Sequence, residues 1–63
     1  MTLGERIRLA RKSAGITQTE LAGNFITRNM LSKIENDSVY PSLQTLLYIS
    51  ERLRIDFGRR ILR

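Results

Sequence analysis

The run Thr27-Arg28-Asn29-Met30-Leu31-Ser32-Lys33-Ile34-Glu35-Asn36 divides its chemistry by side. Wound at about 100° per residue, it gathers Arg28, Asn29, Ser32, Lys33 and Asn36 into one arc of roughly 140°, with Met30, Leu31 and Ile34 in the opposite arc. The apolar arc is an ordinary core stripe. The polar arc is unusual for a face that meets only water, because Asn and Ser compete with the helical backbone and weaken helices. The groups it displays can pair with base edges in the major groove of a duplex: Arg or Lys with guanine, Asn with adenine through two bonds, Ser with either. Standing alone, such a face still reads as solvated surface, so the elements around it decide.

Those elements can be read from caps and periodicity. Thr2 and Glu5 have capping-box spacing, which predicts a first helix over 3–14 ended by Gly15, with Leu3, Ile7, Ala10 and Ala14 facing inward and Leu9 outside the stripe. Thr17 and Glu20 repeat the spacing, so a short second helix should begin at Gln18, place Leu21 and Ala22 in the core and end by Gly23-Asn24. Phe25 and Ile26 are expected to bury a tight connection, and Thr27 to cap the third helix. Asn36, Asp37 and Ser38 break that helix, and Tyr40-Pro41 forces an extended step before Ser42 caps a fourth. Leu43, Leu46, Leu47, Ile49 and Leu53 recur at helical spacing, with Tyr48 alongside, over 43 to about 53. Asp56 is placed to cap a last turn presenting Phe57, Ile61 and Leu62, with Gly58 weakening it, so that 56–63 reads equally as a basic tail. The expectation is one all-α domain over 1–63, a compact bundle of four to five short helices, with a helix-turn-helix at about 18–36.

Composition narrows the chemistry. A chain of 63 residues supports one small core and a stability of a few kcal/mol. There is no cysteine for a disulfide or thiolate site, and no histidine, the commonest metal ligand and general base. The six carboxylates are scattered, with no nucleophile–base pairing, so neither an enzyme nor a metal or other cofactor is expected. Eleven Lys and Arg give a net charge of +5, which favours a polyanionic partner. No apolar run approaches the roughly 20 residues of a spanning helix and no signal-peptide core is present, so a cytoplasmic protein without membrane association is expected.

Several segments, in order, resemble one family. Leu3-Gly4-Glu5-Arg6-Ile7-Arg8, Gly15-Ile16-Thr17-Gln18 with Glu20-Leu21-Ala22, the run 26–36, and Pro41-Ser42-Leu43-Gln44-Thr45-Leu46 are similar to the first four helices of the lambda-repressor-like, Cro-type (xenobiotic-response-element) helix-turn-helix family. The resemblance covers about residues 3–55. It implies DNA binding with the third helix in the major groove, the second braced against the backbone, and a dimer on a two-fold site. By the same resemblance Thr27, Arg28, Asn29, Ser32 and Lys33 match positions that read bases or adjacent phosphates. Gln18 matches a phosphate-contacting glutamine, with helix capping as its alternative role. Asn36 and Ser38 match a phosphate-contacting loop with Tyr40 beside it, Tyr40 being equally suited to packing on the fourth helix. Arg11 and Glu35 match a pair that the family often buries as a salt bridge.

Three departures accompany the likeness. The connection from Ala22 to Thr27 is one residue short of the commonest pattern, with Phe25-Ile26 where glycine often turns the chain, a variant that resembles regulators of Gram-positive bacteria. Asp37 stands where glycine is usual, and Asp tolerates a left-handed backbone better than most residues. The end, 54–63, lacks the usual glycine after the fourth helix and a regular fifth helix, and five arginines in the last twelve residues either meet phosphate or are solvated. The reading is a sequence-specific double-stranded DNA-binding regulator, expected to repress, with no small-molecule ligand evident. The alternatives are the same fold used to bind a protein, or the DNA-binding fragment of a larger sensing regulator.

Overall fold

The structure is a computed structural model and describes residues 1–55. Four helices follow one another: α1 (Leu3–Ala14), α2 (Gln18–Ala22), α3 (Arg28–Glu35) and α4 (Leu43–Leu53). The last-turn residues 56–63 lie outside the described residues, with Asp56, Phe57, Gly58, Ile61, Leu62 and the arginines at 59, 60 and 63.

Each helix begins at a hydroxyl. Thr2 and Thr17 accept from Glu5 N and Glu20 N while those glutamates accept from the cap N–H, two complete capping boxes. Thr27 accepts from Met30 N, and Ser42 from Thr45 N. The helix ends are equally defined. Gly15 takes φ 74 and returns its N–H to Arg11 and Lys12 carbonyls, closing α1 in a left-handed cap. Arg54 closes α4 in the same conformation at φ 57, where a side chain is strained.

The core is small and every helix contributes: Ile7 from α1, Leu21 and Ala22 from α2, Leu31 and Ile34 from α3, Leu46 and Ile49 from α4. Leu3, Ala10, Ile16, Ile26, Tyr48, Leu53 and Ile55 pack around it half-buried. α1 lies against both α3 and α4, and α2 against α3. The approach of α1 to α3 requires Gly4, since a Cβ there would lie 2.5 Å from the Ile34 carbonyl oxygen and 2.6 Å from that of Glu35.

Some expected inward positions face out. Ala14, the last residue of α1, is exposed. Leu43 and Leu47 are exposed because the apolar positions of α4 span an arc of about 160°, wider than the face centred on Leu46 and Ile49. Met30, at the edge of its arc, is 38% exposed. Phe25 is 49% exposed: one face of its ring stacks on Tyr48 at 4.5 Å and 9°, and the rest meets solvent.

Two substitutions test this packing. Gly4→Ala gains about 1 kcal/mol of helix propensity but drives a methyl into two backbone carbonyls, and overpacking costs about 1–3 kcal/mol. Its thermal midpoint by circular dichroism should fall; an unchanged midpoint would mean that α1 can shift without cost. Arg54→Gly should raise stability by about 1 kcal/mol, by relieving the left-handed strain, and urea unfolding will read the gain directly.

Candidate nucleic-acid interface

α3 presents its two chemistries to two environments. Leu31, Ile34 and Glu35 are buried, while Thr27, Arg28, Asn29, Lys33 and Asn36 are exposed and Ser32 is half-buried between them. Among the described residues the side chains of Arg28, Asn29 and Lys33 engage no hydrogen bond or ion pair, so their donors and acceptors are available.

The N-terminus of α3 differs from those of α1 and α2. The first turns of α1 and α2 each contain a glutamate that answers the positive helix end, whereas the first turn of α3 has no acid and begins with Arg28. A cation there opposes the helix dipole and costs α3 about 0.3–1 kcal/mol. The same arrangement directs a guanidinium and free backbone N–H groups of α3 outward together, which suits an anionic partner. Composition counts could not reveal this, but the absence of Glu or Asp three residues after Thr27 was a signal in the sequence.

What fixes the rotation of α3 is the carboxylate of Glu35, 4% exposed. Its Oε2 accepts from Arg11 Nε at 2.7 Å, and its Oε1 from Arg11 Nη2 at 3.0 Å and Gln18 Nε2 at 3.1 Å. Arg11 Nη1 donates to the Ile16 carbonyl oxygen at 3.0 Å, so one guanidinium ties α1 to α3 and to the segment entering α2. The fork-to-carboxylate geometry is the strong form of the interaction. The hydrogen bond to Glu35 holds the Arg11 pKa above its ordinary value, against the opposite effect of burial. Because that pKa is raised, the stability it contributes is full below the unfolded value and is lost only as pH rises through the folded one, far on the alkaline side. Gln18, matched to a phosphate contact, thus has one amide N–H committed inside the protein and the other left to reach outward.

The turn after α3 carries the remaining candidates. Asn36 Oδ1 accepts from Ser38 N at 3.1 Å, and Ser38 N also reaches the Lys33 carbonyl oxygen at 2.9 Å. The backbone N–H of Ser38 is therefore occupied, leaving its hydroxyl and the Asn36 amide. Tyr40 is 74% exposed, so it does not pack on α4, and Pro41 beside it is buried. Asp37 adopts φ 66.

Two further supports escaped sequence reasoning. The Tyr48 hydroxyl donates to the Leu21 and Ala22 carbonyl oxygens at 2.8 and 3.1 Å, holding the end of α2 against α4. Arg52 is exposed but engaged within the protein: its Nη2 donates to the Glu20 carbonyl oxygen at 2.6 Å and its guanidinium lies 5.9 Å from the Tyr48 ring centroid. Among the described residues no group of His, Cys, Asp or Glu could hold a metal ion, and no helix is long and apolar enough to cross a membrane.

A short five-residue helix braced beneath an eight-residue helix with a free polar face is the geometry of a helix-turn-helix, and the family model described as helix-turn-helix matches residues 7–59. The chain belongs to the helix-turn-helix family, of the lambda-repressor-like type. It is 41% identical over 56 residues to the immunity repressor protein of Bacillus phage phi105, a match covering 87% of this chain and 39% of that protein. The chain thus spans about two fifths of the length of this relative. No solved structure matches it.

Removing one partner of the buried pair leaves the other uncompensated, at about 3–5 kcal/mol, comparable to the whole stability expected of so small a domain. Glu35→Leu alone should be largely unfolded at room temperature by circular dichroism, while Arg11→Met with Glu35→Leu should recover helical signal. A double variant as unfolded as the single would mean that the pair supplies more than mutual compensation.

Proposed function

We propose that the chain is a sequence-specific reader of double-stranded DNA acting as a transcriptional repressor, with the outer face of α3 in the major groove. The observation that carries the reading is the free polar face of α3, beginning in an uncompensated cation, on a helix whose rotation is locked from behind. The family to which the chain belongs and its likeness to a phage immunity repressor support it.

In this reading Thr27, Arg28, Asn29, Ser32 and Lys33 meet base edges, and Gln18, Asn36, Ser38 and Tyr40 meet phosphate and set register. Arg28 and Asn29 lie deepest, since the N-terminal residues of a recognition helix do. Residues 1–63 act as one domain that binds as a homodimer on a two-fold site in the cytoplasm. Leu43 and Leu47, two exposed leucines one turn apart on α4, favour self-association over a fully solvated helix.

Selection from a random duplex library tests the reading. The expected product is an inverted repeat with half-sites about one helical turn apart. A single enriched half-site would remove the homodimer, and no enrichment at low salt by folded protein would remove DNA reading in favour of a protein partner. On the selected site, Arg28→Ala should cost about 1–3 kcal/mol and relax preference at one position, whereas Tyr40→Phe should weaken all sequences alike; binding isotherms on matched and mutated sites separate the two.

A further inference from the structure

The turn at 36–40 contains a charge that phosphate should reject. Asp37 stands between Asn36 and Ser38 and just ahead of Tyr40, three groups assigned above to the DNA backbone. Its carboxylate, however, is turned onto the N-terminus of α1. Oδ2 accepts from the Thr2 hydroxyl at 2.6 Å and Oδ1 from Gly4 N at 3.1 Å, across 35 and 33 residues of chain.

These bonds complete a set. Thr2 N donates to Glu5 Oε1 at 2.9 Å and Glu5 N donates to Thr2 Oγ1 at 3.1 Å, so the capping box leaves Gly4 N without a partner from its own helix. Asp37 supplies one from the far end of α3. The contact is possible because Gly4 has no side chain: a Cβ there would also lie 2.7 Å from Asp37 Oδ1. The positive end of α1 is thereby seated on the carboxylate that follows α3.

We propose that Asp37 is a positioning residue for DNA binding: its clasp on Thr2 and Gly4 sets the 36–40 turn against α1 and turns the carboxylate away from the phosphates that Asn36, Ser38 and Tyr40 meet. The inference rests on the DNA-binding reading above. Thr2 and Gly4, remote from α3 in sequence, become part of the support of the interface.

Two substitutions isolate the clasp from charge and from backbone strain. Asp37→Asn and Asp37→Gly both remove the negative charge, and both residue types accept φ 66. The asparagine amide can still accept from Gly4 N and pair with the Thr2 hydroxyl, whereas glycine can do neither. Both are compared with wild type in the Arg54→Gly background, which keeps the fold intact if the clasp also stabilises it.

Amide hydrogen exchange without DNA is the first readout. In Asp37→Gly the amides of 36–40 should exchange at least roughly tenfold faster than in Asp37→Asn, while those of Ile7, Leu31 and Ile49 stay unchanged. Duplex affinity is the second: Asp37→Gly should bind roughly fivefold or more weaker than Asp37→Asn, uniformly over selected and random sequences, as lost backbone positioning requires. Equal exchange and equal affinity in the two variants would overturn the clasp and leave DNA reading intact. Faster exchange throughout the core would overturn it in favour of a purely structural role. Absence of binding by the unsubstituted chain to any duplex would overturn the DNA-binding reading, and this assignment with it, whatever the exchange pattern.

Discussion

A carboxylate placed in a protein interior is tolerable only in the arrangement that satisfies it, and Glu35 imposes that condition on the whole domain. Losing its solvation costs several kcal/mol, and the return comes from a fork of Arg11 donors and the amide of Gln18. Those partners come from α1 and from the start of α2, so satisfying one side chain on α3 fixes three helices at once. Apolar contacts alone discriminate weakly between rotations of a helix, because most methyl groups can exchange one neighbour for another. The ion pair limits that freedom: Glu35 adjoins the apolar arc of Leu31 and Ile34, and with these three buried, Arg28, Asn29 and Lys33 are exposed.

The other polar interactions serve the same end from the periphery. Hydroxyl caps start each helix, and Tyr48 and Arg52 on α4 take the last carbonyls of α2. The five-residue helix α2 has too few internal hydrogen bonds to persist alone. Its geometry is borrowed from its neighbours, through Gln18 to Glu35 on α3 and through Tyr48 and Arg52 on α4, although it is barely more than a turn long.

The four helices were legible in the sequence because their starts are local: a hydroxyl and its N–H partner lie three residues apart, and the left-handed stop at Gly15 needs no distant information. The two-sided character of α3 was legible for the same reason. What could not be read were contacts that only the packed chain creates. Nothing near Asp37 in sequence announces Thr2, and nothing near Tyr48 announces Leu21. Periodicity also overstates burial at the margins: Met30, Leu43 and Leu47 satisfy an apolar spacing yet sit at the edge of arcs wider than the surface that covers them. Likeness assigns Gln18 to phosphate and says nothing of its bond to Glu35, which depends on where α2 comes to rest against α3.

The separation of the two faces of α3 also governs how the protein can change over generations. Arg28, Asn29 and Lys33 contribute no core contact and no internal bond among the described residues, and substitutions at such surface positions usually alter stability by about 0.5 kcal/mol or less. A small domain with little stability in reserve can nonetheless accept most new residues at these three positions, since each shifts it only slightly relative to the unfolding threshold. What the outer face presents can therefore drift quickly among descendants, while Arg11 and Glu35 behind it must change as a pair.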